Sequence, residues 1–333
     1  MKILITGASG FIGAHLTKHC LEQGHTVDMC DNNARGQQDA FVDALVDENE
    51  SCRFLKIDLT KSEEVSSLST DYDIVFHLAA INGTENFYKI PYTVMDVAIR
   101  STMLLLEHFK DTATRFVFSS SSEVYAGTVS KDPSLIPTSE NIECTIDDVT
   151  NTRFSYGGSK LACEILINSF SEQYGMDYQV IRYHNIYGPR MGTKHVMPQF
   201  IRRAKEGESP FSIYGAVQTR AFCYVSDAVR ATLDLALAPE STGIYHIGND
   251  QEEVPISTIA KIVVDWYNLA PNFTIHDAPG GSVPRRSPSL DKLRRAINYK
   301  PAVSLVEGLN LTISWYNDWY ETVDMNILQK GVL

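Results

Sequence analysis

A doubly wound α/β fold, in which helices cover both faces of a parallel β-sheet, is what the first half of this 333-residue sequence predicts. Short β-branched runs alternate there with helical patterns, and the runs are apolar on both faces, as strands buried from two sides must be. A glycine-rich turn, Gly7-Ala8-Ser9-Gly10-Phe11-Ile12-Gly13, joins the first run to the first helical segment. Composition agrees with a packed chain: 44% hydrophobic and 21% charged residues exclude disorder and collagen-like repeats.

Strands are expected at 3–6, 26–30, 53–57, 74–78 and 115–119, separated by helices at 11–23, 62–68 and 92–109. A helix over 155–174 and a strand over 178–183 complete a dinucleotide-binding domain spanning 1–183. Beyond it the pattern loosens at turns such as Tyr187-Gly188-Pro189 and Ser287-Pro288. Helices are expected at 196–206, 226–238, 256–267, 289–296 and 304–322, with brief strands near 211–214 and 244–247. Residues 184–333 therefore read as a smaller C-terminal α/β substrate-binding lobe, with some segments returning to the first domain.

Charge narrows the ligand class. The formal net charge is -12, which argues against nucleic acid as a partner. It is unevenly spread: residues 1–180 carry 13 Lys and Arg against 26 Asp and Glu, whereas residues 181–300 carry 15 against 11. The locally basic segment suits an anionic small molecule. Six cysteines are scattered without Cys-x-x-Cys spacing, so neither a disulfide frame nor a metal site is expected. No apolar run reaches the ~18 residues of a membrane span. The glycine turn also follows Met1 too closely for a signal peptide, so a cytoplasmic, membrane-free protein is expected.

The turn has a chemical reading. Gly7, Gly10 and Gly13 permit a tight turn, a close approach of backbone N–H groups to a pyrophosphate and close helix–strand packing, with Phe11 and Ile12 in the first helical turn. Asp31, 18 residues after Gly13 at the end of the second strand, suits the hydroxyls of an adenosine ribose and repels a 2′-phosphate. NAD is therefore the expected cofactor, although Arg35 lies close enough to accommodate a phosphate. Asn32 sits beside Asp31. Asp58 and Leu59 follow the third strand, and Leu78, Ala79 and Ala80 supply mostly small residues where a cofactor passes.

Tyr156 and Lys160 stand four apart on one helix face. A phenol of pKa ~10 becomes a usable base when an ammonium stabilises its phenolate. Upstream, the fifth strand runs into Ser121, Ser122 and Glu123, at the end of a strand where open α/β sheets bind ligands. Ser121 can orient a reacting hydroxyl, and Ser122 with Glu123 can handle further protons.

Together with His77-Leu78-Ala79-Ala80, Arg182 to Arg190, Gln218 to Phe222, Tyr224 to Asp227 and Pro284-Arg285-Arg286, these motifs resemble the extended short-chain dehydrogenase/reductases of the NAD-dependent epimerase/dehydratase family. That family acts on nucleotide sugars. The resemblance implies a Rossmann-type domain, oxidation of a nucleotide-diphosphate sugar at C4, and a homodimer built on helices 92–109 and 155–174. It assigns the diphosphate to Asn185, Arg220 and Arg285 or Arg286, with Arg190 and Lys194 as secondary candidates, and it places Asn82 and Thr84 near the substrate.

Departures bear on the reaction. Met95-Asp96-Val97 stands where the family often has Asn, and His184 replaces a commoner Phe. Ser122-Glu123 occupies the place of the Asp-Glu pair of dehydratases and resembles nucleotide-glucuronate decarboxylases. A 4-epimerase is expected. The alternatives are a 4-dehydrogenase, for example of a heptose, a decarboxylase, an NADPH-dependent keto-sugar reductase, and, from another class, a non-catalytic nucleotide-binding regulator.

Overall fold

The computed structural model describes residues 1–35, 38–278 and 282–322. Its first half runs β1 (Lys2–Thr6), α1 (Phe11–Glu22), β2 (Thr26–Asp31), α2 (Ala40–Asp47), β3 (Cys52–Lys56), α3 (Ser62–Val65), β4 (Ile74–His77), α4 (Thr84–Lys89), α5 (Pro91–His108), β5 (Arg115–Ser121), α6 (Ala126–Lys131), α7 (Ser155–Tyr174) and β6 (Tyr178–Tyr183). There follow β7 (Ile186–Tyr187), α8 (Val196–Lys205), β8 (Phe211–Tyr214), β9 (Thr219–Ala221), β10 (Cys223–Tyr224), α9 (Val225–Leu237), β11 (Gly243–Ile247), β12 (Glu253–Pro255), α10 (Ile256–Trp266), β13 (Phe273–His276), β14 (Arg285–Arg286), α11 (Asp291–Ile297) and α12 (Leu305–Thr322).

Seven strands form one sheet in the order β11-β6-β5-β4-β1-β2-β3, and every neighbouring pair is parallel. The two-residue period of a strand explains how both faces are covered. Ile3 and Ile5 of β1 pack with Ala14, Leu16 and Cys20 of α1, whereas Leu4 joins Leu105 and Leu106 of α5 and Cys163 and Ile167 of α7. The winding reverses between β1 and β4, which opens a crevice at their carboxyl ends. The glycine turn and Ala79 lie in that crevice.

Strand β11 extends the main sheet beside β6, and α9 packs on α1. Helices α2, α4 and α6 fall where no element is expected; at six to eight residues each they are too short to carry a helical period. Local capping defines α2 instead, since Asp39 accepts a bond from Val42 N at 3.1 Å. The remaining strands, two to four residues long, pair as β12-β9-β14, β10-β7 and β13-β8. Among the described residues no helix is long and apolar enough to cross a membrane.

Leu4 is fully buried at the centre of the sheet. Replacing it with Ala should cost about 2–5 kcal/mol through lost contacts and a residual cavity. A urea-denaturation midpoint unchanged in Leu4→Ala would contradict this packing.

Candidate active site

The dinucleotide end is shaped by what the glycines leave out. Gly7 adopts φ 68°, and a Cβ there would meet Ala79 N at 2.8 Å. A Cβ on Gly13 would lie 2.3 Å from the Gly7 carbonyl oxygen. The first amides of α1, which have no intrahelical acceptor, therefore open directly onto a cavity of about 670 Å³. Gly10, Phe11, Ile12 and Gly13 line it, and the cradle fits a pyrophosphate by both space and dipole.

Asp31 and Asn32 reach the same cavity from the end of β2. Asp31 is held by Ser9 N at 3.1 Å and Asn33 N at 2.8 Å, which fixes a carboxylate beside the glycine turn. Asp58 and Leu59 form a further wall, opposite Leu78, Ala79 and Ala80. Burial acts to raise the Asp58 carboxyl, but bonds from Thr60 N and Oγ1 outweigh it and hold the group below its ordinary range. Arg35 does not stay beside Asp31. Its guanidinium lies toward Gly83 and close enough to feel Tyr156.

At the reacting end, β5 finishes in Ser121, and a 3-10 turn carries Ser122 and Glu123. Tyr156 enters from the first turn of α7 and stacks on Phe87 of α4, with ring centroids 5.0 Å apart and planes 11° from parallel. Lys160, one turn further, is buried beneath rather than lining the cavity. Its Nζ donates to the Ser119 carbonyl at 2.6 Å and lies 5.7 Å from the Tyr156 ring centroid. Burial pushes the phenol up to about 12, helped by the Glu123 carboxylate and opposed by a Ser121 hydrogen bond and by Arg35. Burial also draws the ammonium down to about 8. The two pKa values thus move apart.

Glu123 is held at both oxygens: Arg286 Nη1 is 2.8 Å from Oε1, and Arg153 Nη1 is 3.2 Å from Oε2. Burial favours its neutral form, but the two arginines prevail and hold the carboxyl at about 2. At neutral pH it carries charge and no proton. Ser121, Ser122, Glu123 and Arg286 line the cavity, as do Asn82, Thr84 and Asn185.

Arg220 and Arg285 do not line it. Arg285 turns to Glu253, at 2.7 and 2.8 Å, and Arg220 donates to the Thr219 and Pro284 carbonyls. The cause is strand alternation: β14 runs parallel beside β9, so consecutive arginines 285 and 286 face opposite ways. Arg220 remains close enough to Arg286 for their repulsion, after burial, to contribute to lowering its guanidinium to about 9. Lys194 pairs with Glu85 at the surface. Asp96 pairs with Arg100 on the outer face of α5, while Val97 and Ser101 face the cavity. His184 packs behind the site against His246, ring centroids 4.5 Å apart.

Several residues in or beside the cavity escaped the sequence reading. Arg153 precedes Tyr156 by one turn, a spacing that carries meaning only once Glu123 is known to be opposite. His195 and Met191-Gly192-Thr193, with Trp315 and Trp319 of α12, reach the cavity from distant parts of the chain.

Comparison with known proteins places this arrangement. Residues 3–248 match the family described as NAD dependent epimerase/dehydratase. UDP-N-acetyl-alpha-D-glucosaminuronate decarboxylase of Bacillus cytotoxicus is 30% identical over 331 residues, covering 95% of this chain and 98% of that protein. UDP-glucuronate 4-epimerase of Thermodesulfobacterium geofontis is 28% identical, covering 96% and 97%. Among solved structures, UDP-glucose 4-epimerase of Thermotoga maritima with UDP-glucose superposes with a TM-score of 0.83 at 27% identity, covering 96% of this chain and 100% of that one. UDP-glucuronic acid 4-epimerase of Bacillus cereus, in complex with UDP-glucuronic acid and NAD, gives 0.81 at 25% identity with the same coverage. The chain therefore belongs to the NAD-dependent epimerase/dehydratase family, as its motifs led us to expect.

Proposed function

We propose that the protein is an NAD-dependent enzyme that oxidises a nucleotide sugar at C4 and returns the hydride to the other face, a 4-epimerase. The observation that carries this reading is one continuous cavity joining the glycine cradle to Ser121 and Tyr156, with Lys160 beneath the phenol. NAD, when bound, supplies the hydride acceptor and a positive ring at that junction. Ser121 orients the C4 hydroxyl, and Tyr156 as phenolate takes its proton while the C4 hydride departs, leaving a 4-keto sugar. Lys160 stabilises the phenolate. Asp31 takes the adenosine ribose, and the α1 amides take the pyrophosphate. Asn185 and Arg286 hold the diphosphate of the sugar nucleotide, with Arg220 adding its field from behind. Residues 1–183 serve the dinucleotide, and residues 184–333 serve mainly the sugar nucleotide, apart from α9 and β11. Six unpaired cysteines support work in the cytoplasm.

A second reading has its own support. Arg153 and Arg286 flank Glu123 close to Tyr156, arginines suited to a substrate carboxylate, and the 30% identical relative is named a decarboxylase. A uronate oxidised at C4 is a β-keto acid, and its C5–C6 bond breaks with loss of CO2. NMR of reactions with UDP-glucose and UDP-glucuronate separates the two: a C4 epimer supports the first reading, a pentose product the second, and no turnover of any nucleotide sugar overturns both.

Tyr156→Phe should abolish reduction of bound NAD by substrate, read at 340 nm; full retained reduction would refute the base assignment. Lys160→Met removes the cation that favours the phenolate, so the phenol pKa must rise. The ascending limb of the pH–rate profile should move alkaline by about one unit, with roughly tenfold loss at pH 7. A limb that stays in place or moves acidic would contradict this role.

A homodimer through α5 and α7 is also proposed. These helices pack side by side and leave Tyr92 77%, Met103 44% and Ile165 62% exposed. Light scattering should give twice the 37.2 kDa chain mass, and Ile165→Glu should shift it to the monomer.

A further inference from the structure

We infer that Arg190 is a positioning residue that retains the cofactor, fastening the segment 189–194 across the mouth of the dinucleotide cleft. The inference rests on the NAD reading above. Arg190 has φ 66°, a left-handed conformation that residues with a Cβ rarely adopt, and such outliers gather where a side chain is needed in one place.

That place is the back of the glycine turn. Arg190 Nη2 donates to the Ser9 carbonyl at 3.2 Å and Nη1 to the Gly10 carbonyl at 3.3 Å, while Nε donates to Asp39 Oδ2 at 3.0 Å. The guanidinium lies 5.1 Å from the centre of the Phe41 ring. A fork of this kind satisfies three acceptors in fixed directions, which a lysine does not. The Gly10 carbonyl belongs to the peptide that carries Phe11 N–H, one of the first amides of α1, whereas Gly10 N–H is itself taken by the Gly7 carbonyl at 3.1 Å. A cation on the carbonyl side of the Gly10–Phe11 peptide both orients and polarises that N–H, and the Ser9 contact anchors the guanidinium to the turn.

The segment is fastened at three further points. His15 of α1, between Phe11 and Phe41, bonds the Pro189 carbonyl at 3.0 Å. Tyr316 of α12 donates to the Met191 carbonyl, and Lys194 pairs with Glu85 of α4. Met191, Gly192 and Thr193 between these points line the cavity. A dinucleotide on the α1 amides therefore leaves only when the segment lifts from α1, α4 and α12 together. A cofactor held through each turnover must be reoxidised on the same sugar, as in epimerisation or decarboxylation, and not by exchange with the bulk pool.

The test is the rate at which isotopically labelled NAD replaces bound NAD in the substrate-free holoenzyme, followed by mass spectrometry. Arg190→Ala should accelerate exchange at least about tenfold, because a charge-assisted network tied to the cofactor turn acts chiefly on dissociation. Asp39→Asn removes the partner charge yet keeps an oxygen for the α2 cap, so it folds even if Arg190→Ala does not, and it should accelerate exchange about threefold. The double variant should match Arg190→Ala, since both act through one contact. Exchange within twofold of wild type in every folded variant would overturn the inference. A wild-type protein that binds no NAD would overturn the cofactor reading instead.

Discussion

The Glu164–Arg182 ion pair fixes helix α7 on the sheet, and with it the whole reacting end of the site. Arg182 on β6 meets Glu164 on α7 through Nε at 3.0 and 3.2 Å, with both side chains 4% exposed. Ser120 of β5 donates to the same carboxylate, and Tyr125 accepts from Arg182. Every charge in the group is thus hydrogen-bonded, the condition under which a buried pair is tolerated, and losing one partner would cost about 3–5 kcal/mol. Its consequence is geometric. With α7 held at Glu164, Lys160 one turn earlier reaches the Ser119 carbonyl, and Tyr156 one further turn back arrives beside Ser121.

The electrostatics of the cavity follow from how little water reaches it. Burial is the largest influence on both groups, raising the Tyr156 phenol and drawing the Lys160 ammonium down to about 8, so at neutral pH the phenol is neutral and the ammonium keeps its charge. Glu123 is the exception, because two arginines outweigh its burial. Arg220 close to Arg286 leaves the substrate end with more positive charge than Glu123 neutralises. An acidic chain thereby keeps one basic end of its cavity. The excess of Lys and Arg over residues 181–300 is its trace in the sequence.

Legibility tracked the length of the signal. The strands of the main sheet and the long helices α5 and α7 repeat a period often enough to be read, and α7 begins and ends as the pattern predicts. The glycine turn, Asp31, Ser121, Tyr156 and Lys160 could be picked out because each stands at a defined offset from the end of an element. Helices α2 and α4, less than three turns long, were not expected, although the equally short α3 and α11 lie where helices were. Arg153 was illegible as a site residue, and Arg190 was legible only as a secondary candidate for the diphosphate, for another reason: their meaning depends on partners 30 and 151 positions away.

By itself the sequence determined the alternation that forces a parallel sheet, the glycine positions that admit a pyrophosphate, and the residue types that can exchange a proton. These are local properties, set by backbone sterics and by spacing along one strand or helix. Only the tertiary structure decided that Arg286 faces the cavity while Arg285 does not, that Glu123 is ionised, and that Arg190 grips the glycine turn. Those outcomes depend on which way a side chain points across a gap, and two segments distant in the chain must meet before that direction has a meaning.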